Sequence, residues 1–146
     1  MTDDEFWSLI DVFEGRFDVC DNGPYERLSA TLAAGPEERI FGFADKLAEL
    51  LFGLDRRDLA TVSRTPLGDD GFLYVRCAVV VGGRAAYTSV LADRTAFIPF
   101  TVDYGGHAAA LLDVASNAYT SKTGLEWDHL EPHDFETMSN EEGWLP

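Results

Sequence analysis

The segment from Asp69 through Arg84 (Asp-Asp-Gly-Phe-Leu-Tyr-Val-Arg-Cys-Ala-Val-Val-Val-Gly-Gly-Arg) constrains this chain more than any other. It sets Arg76 inside the most apolar run of the protein. Any fold that buries the run must also satisfy a guanidinium, because an unpaired buried charge is costly. Val75, Val79, Val80 and Val81 favour a strand. Yet the run does not alternate with polar residues, Phe72, Val75 and Val79 fit helical spacing, and Asp69 or Asp70 suits a helix cap. Propensity alone balances the two. On a helix, positions 69 and 76 share one face two turns apart, so Asp69 and Asp70 are the nearest acids for Arg76, with Asp58 a further partner. This constellation is read as a capped helix with an internal ion pair; its functional alternative is a small polar pocket for an anionic or amide-bearing ligand.

The rest of the chain is patterned for helices. Thr2 and Glu5 form a capping box, and Phe6, Leu9, Ile10, Phe13 and Phe17 recur at helical spacing, predicting a helix over residues 3–17. Asp21-Asn22-Gly23-Pro24 is a turn, with Pro24 suited to the first position of a short helix over 24–33. Pro36-Glu37-Glu38 opens the clearest helix, whose stripe runs Ile40, Phe43, Leu47, Leu50, Leu51 and Leu54. Asp55 is placed to cap a further short helix containing Leu59 and Val62. Beyond Gly82-Gly83, Tyr87, Val90 and Leu91 suggest another helix, residues 95–104 an apolar extended connection, and residues 107–122 a last helix with Gly124 as its C-cap.

The charge of the chain is uneven. The 146 residues carry a net charge of −15. Residues 1–30 hold eight acids and two arginines, residues 31–123 eleven acids and nine bases, and residues 124–146 seven acids and no base. The body is nearly balanced and the excess sits at the ends. Direct nucleic-acid backbone or anionic-membrane binding is disfavoured, since both need clustered Lys and Arg; a basic protein partner would be attracted. No apolar run approaches the ~20 residues that span a bilayer, and the acidic start Met1-Thr2-Asp3-Asp4-Glu5 differs from a secretory signal, so a cytoplasmic protein with reduced Cys20 and Cys77 is expected.

Chemistry-bearing clusters are few. His129-Leu130-Glu131-Pro132-His133-Asp134 is the only grouping of histidines with acids, but Pro132 interrupts the helix that would align the imidazoles, so no metal is expected. Cys20 lies beside Asp18 and Asp21, whose charge opposes thiolate formation. His107 follows Gly105-Gly106 without a nucleophile motif. Gly82-Gly83-Arg84 lacks the phosphate-cradling and dinucleotide patterns, and no cofactor is implied.

Five pieces in order give the chain a resemblance: Glu5-Phe6-Trp7-Ser8-Leu9-Ile10; Arg57-Asp58-Leu59; Asp69-Asp70-Gly71-Phe72 with Arg76 and Gly83-Arg84; Leu91-Ala92-Asp93; and Ala118-Tyr119 with Lys122-Thr123-Gly124. Over roughly residues 3–124 the chain resembles the bacterial family known as domain of unknown function DUF4240. The resemblance implies a mainly helical fold, which tips residues 70–81 toward helix, and regulatory company, because some relatives are joined to a tryptophan-glycine-arginine type domain or labelled for molybdate-metabolism regulation. It carries over no catalytic residue. The chain departs from the family in having Arg57 and Ala60 where tryptophans often flank the Asp-Leu pair.

The expectation is therefore a mainly α protein: a single compact domain of about six helices over residues 1–124, with an acidic, irregular tail over 125–146 tacked on by Trp127 and Trp144. Its expected role is a non-catalytic regulatory or interaction module for a basic partner, immunity-like in one form. The competing reading is a small hydrolase or transferase using Asp69, Asp70, Arg76 or His107.

Overall fold

The computed structural model describes residues 1–102 and 106–146. Among the described residues it is mainly helical, with seven α-helices, short 3-10 segments and no strand. Helix α1 (Asp3–Ile10) starts in the expected capping box: the Glu5 backbone N–H donates to the Thr2 hydroxyl at 3.2 Å, and the Thr2 N–H donates to the Glu5 carboxylate at 2.8 Å. It does not continue to Phe17. A 3-10 turn over Asp11–Phe13 leads to Glu14 and Gly15 in left-handed conformation, which no helix continues through. Phe17 reaches the body nonetheless, its ring 4.3 Å from that of Phe100.

Helix α2 (Gly23–Ala34) carries Pro24 in its first turn and buries Tyr25, Leu28 and Leu32. Helix α3 (Glu37–Gly53) follows Pro36 and buries Ile40, Phe43, Ala44, Leu47, Ala48 and Leu51, as its stripe requires. In the short α4 (Arg57–Ala60) the N-cap is Arg56 rather than Asp55, whose carboxylate turns elsewhere.

The ambiguous segment is helix α5 (Gly68–Val81). Its apolar run fails to alternate because the helix is enclosed on nearly every side: Phe72, Leu73 and all residues from Val75 to Val81 are buried. It packs on α3 and on the later helices. Asp69 and Asp70 do not cap it; the N-cap is Leu67, and both acids lie exposed in the first turn, where the positive end of the helix dipole favours them. Gly83, at φ +101°, makes the break to α6 (Arg84–Ala92), a conformation few side-chain-bearing residues adopt.

The expected extended connection is instead a 3-10 segment over Arg94–Thr101, begun by the Asp93 carboxylate accepting the Thr95 N–H at 2.9 Å; the remainder of that expectation, residues 103–104, lies outside the described residues. The last expected helix is split into a 3-10 segment (Gly106–Asp113) and α7 (Val114–Thr123). No helix is long and apolar enough to cross a membrane among the described residues.

Candidate functional site

After Gly124 the chain leaves α7 and runs as a largely irregular strap across α3 toward α5, ending in a 3-10 turn. From Trp127 to Ser139 its residues alternate strictly between half-buried and exposed, through irregular chain as far as 131, a bend at 132–133 and a turn over Glu136–Ser139 closed by the Ser139 N–H donating to the Glu136 carbonyl at 3.1 Å. The inward row is a series of specific attachments. Trp127 meets the rings of Phe41 and Tyr119. His129 stacks on Phe41 and bonds the Asp45 carboxylate through Nε2 at 2.7 Å. His133 lies against Phe52. Thr137 and Ser139 then reach two buried charges.

Those charges are Asp55 and Arg76, the only fully buried charged residues described. The Asp55 carboxylate accepts from the backbone N–H groups of Met138 (3.1 Å) and Asn140 (3.0 Å), from the Ser139 hydroxyl (3.4 Å) and from the Trp144 indole N–H (2.8 Å). All four donors come from the end of the strap, so this carboxylate fastens it. The final 3-10 turn (Glu141–Trp144) seats so closely that a Cβ on Gly143 would stand 2.5 Å from the Asp55 carbonyl oxygen.

Arg76 has no acid in direct contact. Its Nη1 donates to the Leu51 carbonyl at 2.9 Å, its Nη2 donates to the Thr137 hydroxyl at 3.2 Å, and its Cζ sits 4.7 Å from the Phe72 ring centroid. Nε has no partner. Burial lowers the guanidinium's pKa, and the Asp55 charge opposes that from a distance. The four sequence-predicted residues therefore separate. Asp58 pairs with Arg56, whose Nε donates to it at 3.0 Å. Asp69 offers only its carbonyl oxygen, which accepts the Thr137 hydroxyl at 2.7 Å. Asp70 is exposed. The expected ion pair of Arg76 with Asp58, Asp69 or Asp70 is not formed, because the strap supplies a neutral hydroxyl and α3 a carbonyl where the helix's own acids point to solvent.

The two tail histidines diverge, His129 to Asp45 and His133 to Phe52. Among the described residues no group of three or more His, Cys, Asp and Glu side chains is placed to hold a metal ion. Sequence reasoning treated Cys20 and His107 separately, and the fold joins them across 87 residues: Cys20 Sγ lies 3.2 Å from His107 Nδ1, while His107 Nε2 lies 2.8 Å from Asn22 Oδ1. No local motif could have signalled that pairing, since its members are separated by most of the chain.

No curated protein and no solved structure matches this chain. The family model described as "Protein of unknown function (DUF4240)" matches residues 1–121 and ends before the strap begins. The helical body, with Arg76 and Asp55 inside it, lies in the matched region, and the chain belongs to this family.

Proposed function

We propose that this protein is an interaction module that binds a basic protein partner along the outward face of its strap. One observation carries the reading: the strap's inward side chains pack on the body and its outward side chains are left exposed. The outward row sets Asp128, Asp134 and Glu136 beside Leu130, 89% exposed, and Met138, 58% exposed. Residues 124–146 contain no base to neutralise those acids. Acids of one sign steer an oppositely charged partner, and exposed aliphatic groups between them supply area to bury once it arrives. Among the described residues, no hydrogen bond engages the backbone of residues 126–131, ahead of the bend at Pro132, which leaves that stretch of backbone open to pairing with a partner strand.

In this reading residues 1–124 form the scaffold and residues 125–146 the recognition element, in a cytoplasmic setting that suits two free cysteines. An immunity-like neutraliser of a basic toxin is one form of it. The rival enzyme would use Asp69, Asp70, Arg76 or His107; the side chains of the first three do not converge, and His107 lies apart from them beside Cys20 and Asn22.

The test is affinity capture with the intact protein as bait, beside the variant Glu126→Gln/Asp128→Asn/Asp134→Asn, which leaves the inward row untouched. A basic protein retained in stoichiometric amount by the wild type, released as salt rises and bound at least about tenfold more weakly by the variant supports the proposal. Equal retention by both, or no retention at low salt, overturns it.

A further inference from the structure

The loop before α2 and the 3-10 segment before α7 bring together three groups that the interaction reading does not use. Cys20 stands at the apex of a tight turn closed by the Asp21 N–H donating to the Val19 carbonyl at 3.0 Å. Asn22 is the N-cap of α2, but its side chain makes no capping bond and is free to serve another group. That group is His107, whose Nε2 lies 2.8 Å from Asn22 Oδ1. An amide oxygen can only accept, so Nε2 carries the proton and donates. With Asn22 Oδ1 as the acceptor, the tautomer assigned is the Nε2–H form, in which Nδ1 keeps a lone pair toward Cys20 Sγ at 3.2 Å. A thiol, an imidazole acceptor and an amide that orients the imidazole are the three parts of a general-base-assisted cysteine nucleophile, and here the imidazole must take the thiol proton against the Asp18 and Asp21 charges beside Cys20.

The thiol does not face bulk water alone. Cys20 and His107 line a cavity of about 310 Å³ whose other walls include Phe17, Ala78, Pro99 and Phe100. This lies at the lower end of the range for small-molecule sites and is mostly apolar. Asp18 also lines it, which disfavours anionic ligands. The second cysteine supplies an internal contrast: Cys77 is fully buried, and burial pushes its thiol up to about 12.

We propose that Cys20, His107 and Asn22 form a thiol acyl-transfer site that hydrolyses uncharged esters of short apolar acids. Cys20 Sγ gives its proton to His107 Nδ1 and attacks the ester carbonyl carbon. The ester C–O bond breaks, and the alcohol leaves with the proton from Nδ1, so the acyl group remains as a thioester on Sγ. Water then gives a proton to Nδ1 as its oxygen attacks the thioester carbon. The C–S bond breaks, Sγ recovers the proton and the carboxylic acid departs. Ester and water become acid and alcohol, with no change of oxidation state. Cys20 and His107 are the catalytic residues; Asn22 is a positioning residue.

The experiment uses the full chain with p-nitrophenyl butyrate, following nitrophenol release and the mass of the intact protein. The expected result is a stoichiometric burst, with a butyryl adduct mapped by peptide mass to Cys20 and none on Cys77. Cys20→Ala abolishes the burst. His107→Gln slows acylation at least about 100-fold, the ordinary contribution of a positioned general base. Asn22→Ala lowers kcat about tenfold with KM unchanged, and Asn22→Asp, which keeps the acceptor, restores it. Because Cys20 and Asn22 are exposed, their variants leave the core intact, and matching melting curves verify this. Absence of a burst in the wild type, an adduct elsewhere, or acylation unchanged in His107→Gln overturns the proposal. None of these outcomes bears on partner binding by the strap.

Discussion

At the scale of single residues, a guanidinium inside a helix core obeys the rule that buried polar groups find partners, but it finds them far from where its own helix suggests. Arg76 is held by Leu51 on α3 and by Thr137 on the strap, 61 residues away. Thr137 is the hinge of this arrangement, accepting from Arg76 and donating to the Asp69 carbonyl. Thr137→Val keeps the shape and removes both bonds; it should cost about 1–3 kcal/mol, read from the shift in urea midpoint at unchanged m-value. Asp55→Ala strands four donors around one site and should cost more, about 3 kcal/mol or above. A midpoint unchanged in both variants would show that the strap end adds nothing to stability. The sequence did mark Arg76 as a charge in need of satisfaction. It pointed to Asp58, Asp69 and Asp70 because helical spacing reports only local neighbours, and nothing in a linear pattern announces a threonine brought in by a long irregular segment.

At the scale of elements, helices with one apolar face were legible and those that are apolar all round were not. The stripe on α3 predicts its buried face almost residue by residue. Helix α5 has no stripe because past its first turn it is enclosed on nearly every side, so its β-branched residues spoke for a strand until packing decided otherwise. The strap was illegible for a different reason. Its inward row includes His129, Glu131 and His133 and its outward row Leu130 and Met138, so alternation in burial is not alternation in hydrophobicity. Only Trp127 and Trp144 gave it away as something docked, and both do touch the body. The seat of the last turn depends on a missing side chain. Gly143→Ala places a Cβ against backbone that cannot swing aside, so the turn must lift. We expect a loss of about 1–3 kcal/mol, with limited proteolysis at residues 138–146 accelerating while the helices stay resistant.

At the scale of the whole molecule, proton binding sets the stability window. Burial raises Tyr25, Tyr87 and Cys77 to about 12, from ordinary values of 10.0 for the tyrosines and 9.0 for the thiol. The folded chain therefore keeps protons that the unfolded chain releases. The resulting stabilisation is complete below about pH 9 and is lost as pH rises toward 12. At the acid end the signs reverse. Asp3, bonded to Lys46, Glu5 in its capping box and Asp93 beside Thr95 are all lowered, so what they contribute is present at neutral pH and disappears as pH falls through their folded values. Melting temperature against pH should thus be a plateau with an alkaline shoulder beginning near pH 9, steeper in the wild type than in Tyr87→Phe. A curve without that shoulder would contradict the burial of these three groups.

The alternation of the strap has a consequence for how such a protein changes over time. From 127 to 139 the odd-numbered side chains turn toward the chain's own body and the even-numbered ones toward the outside. Two texts are written on one line in alternate letters. If the outward row recognises a partner as proposed, selection for folding reads one and selection for recognition reads the other, and a lineage could revise its preferences one even position at a time.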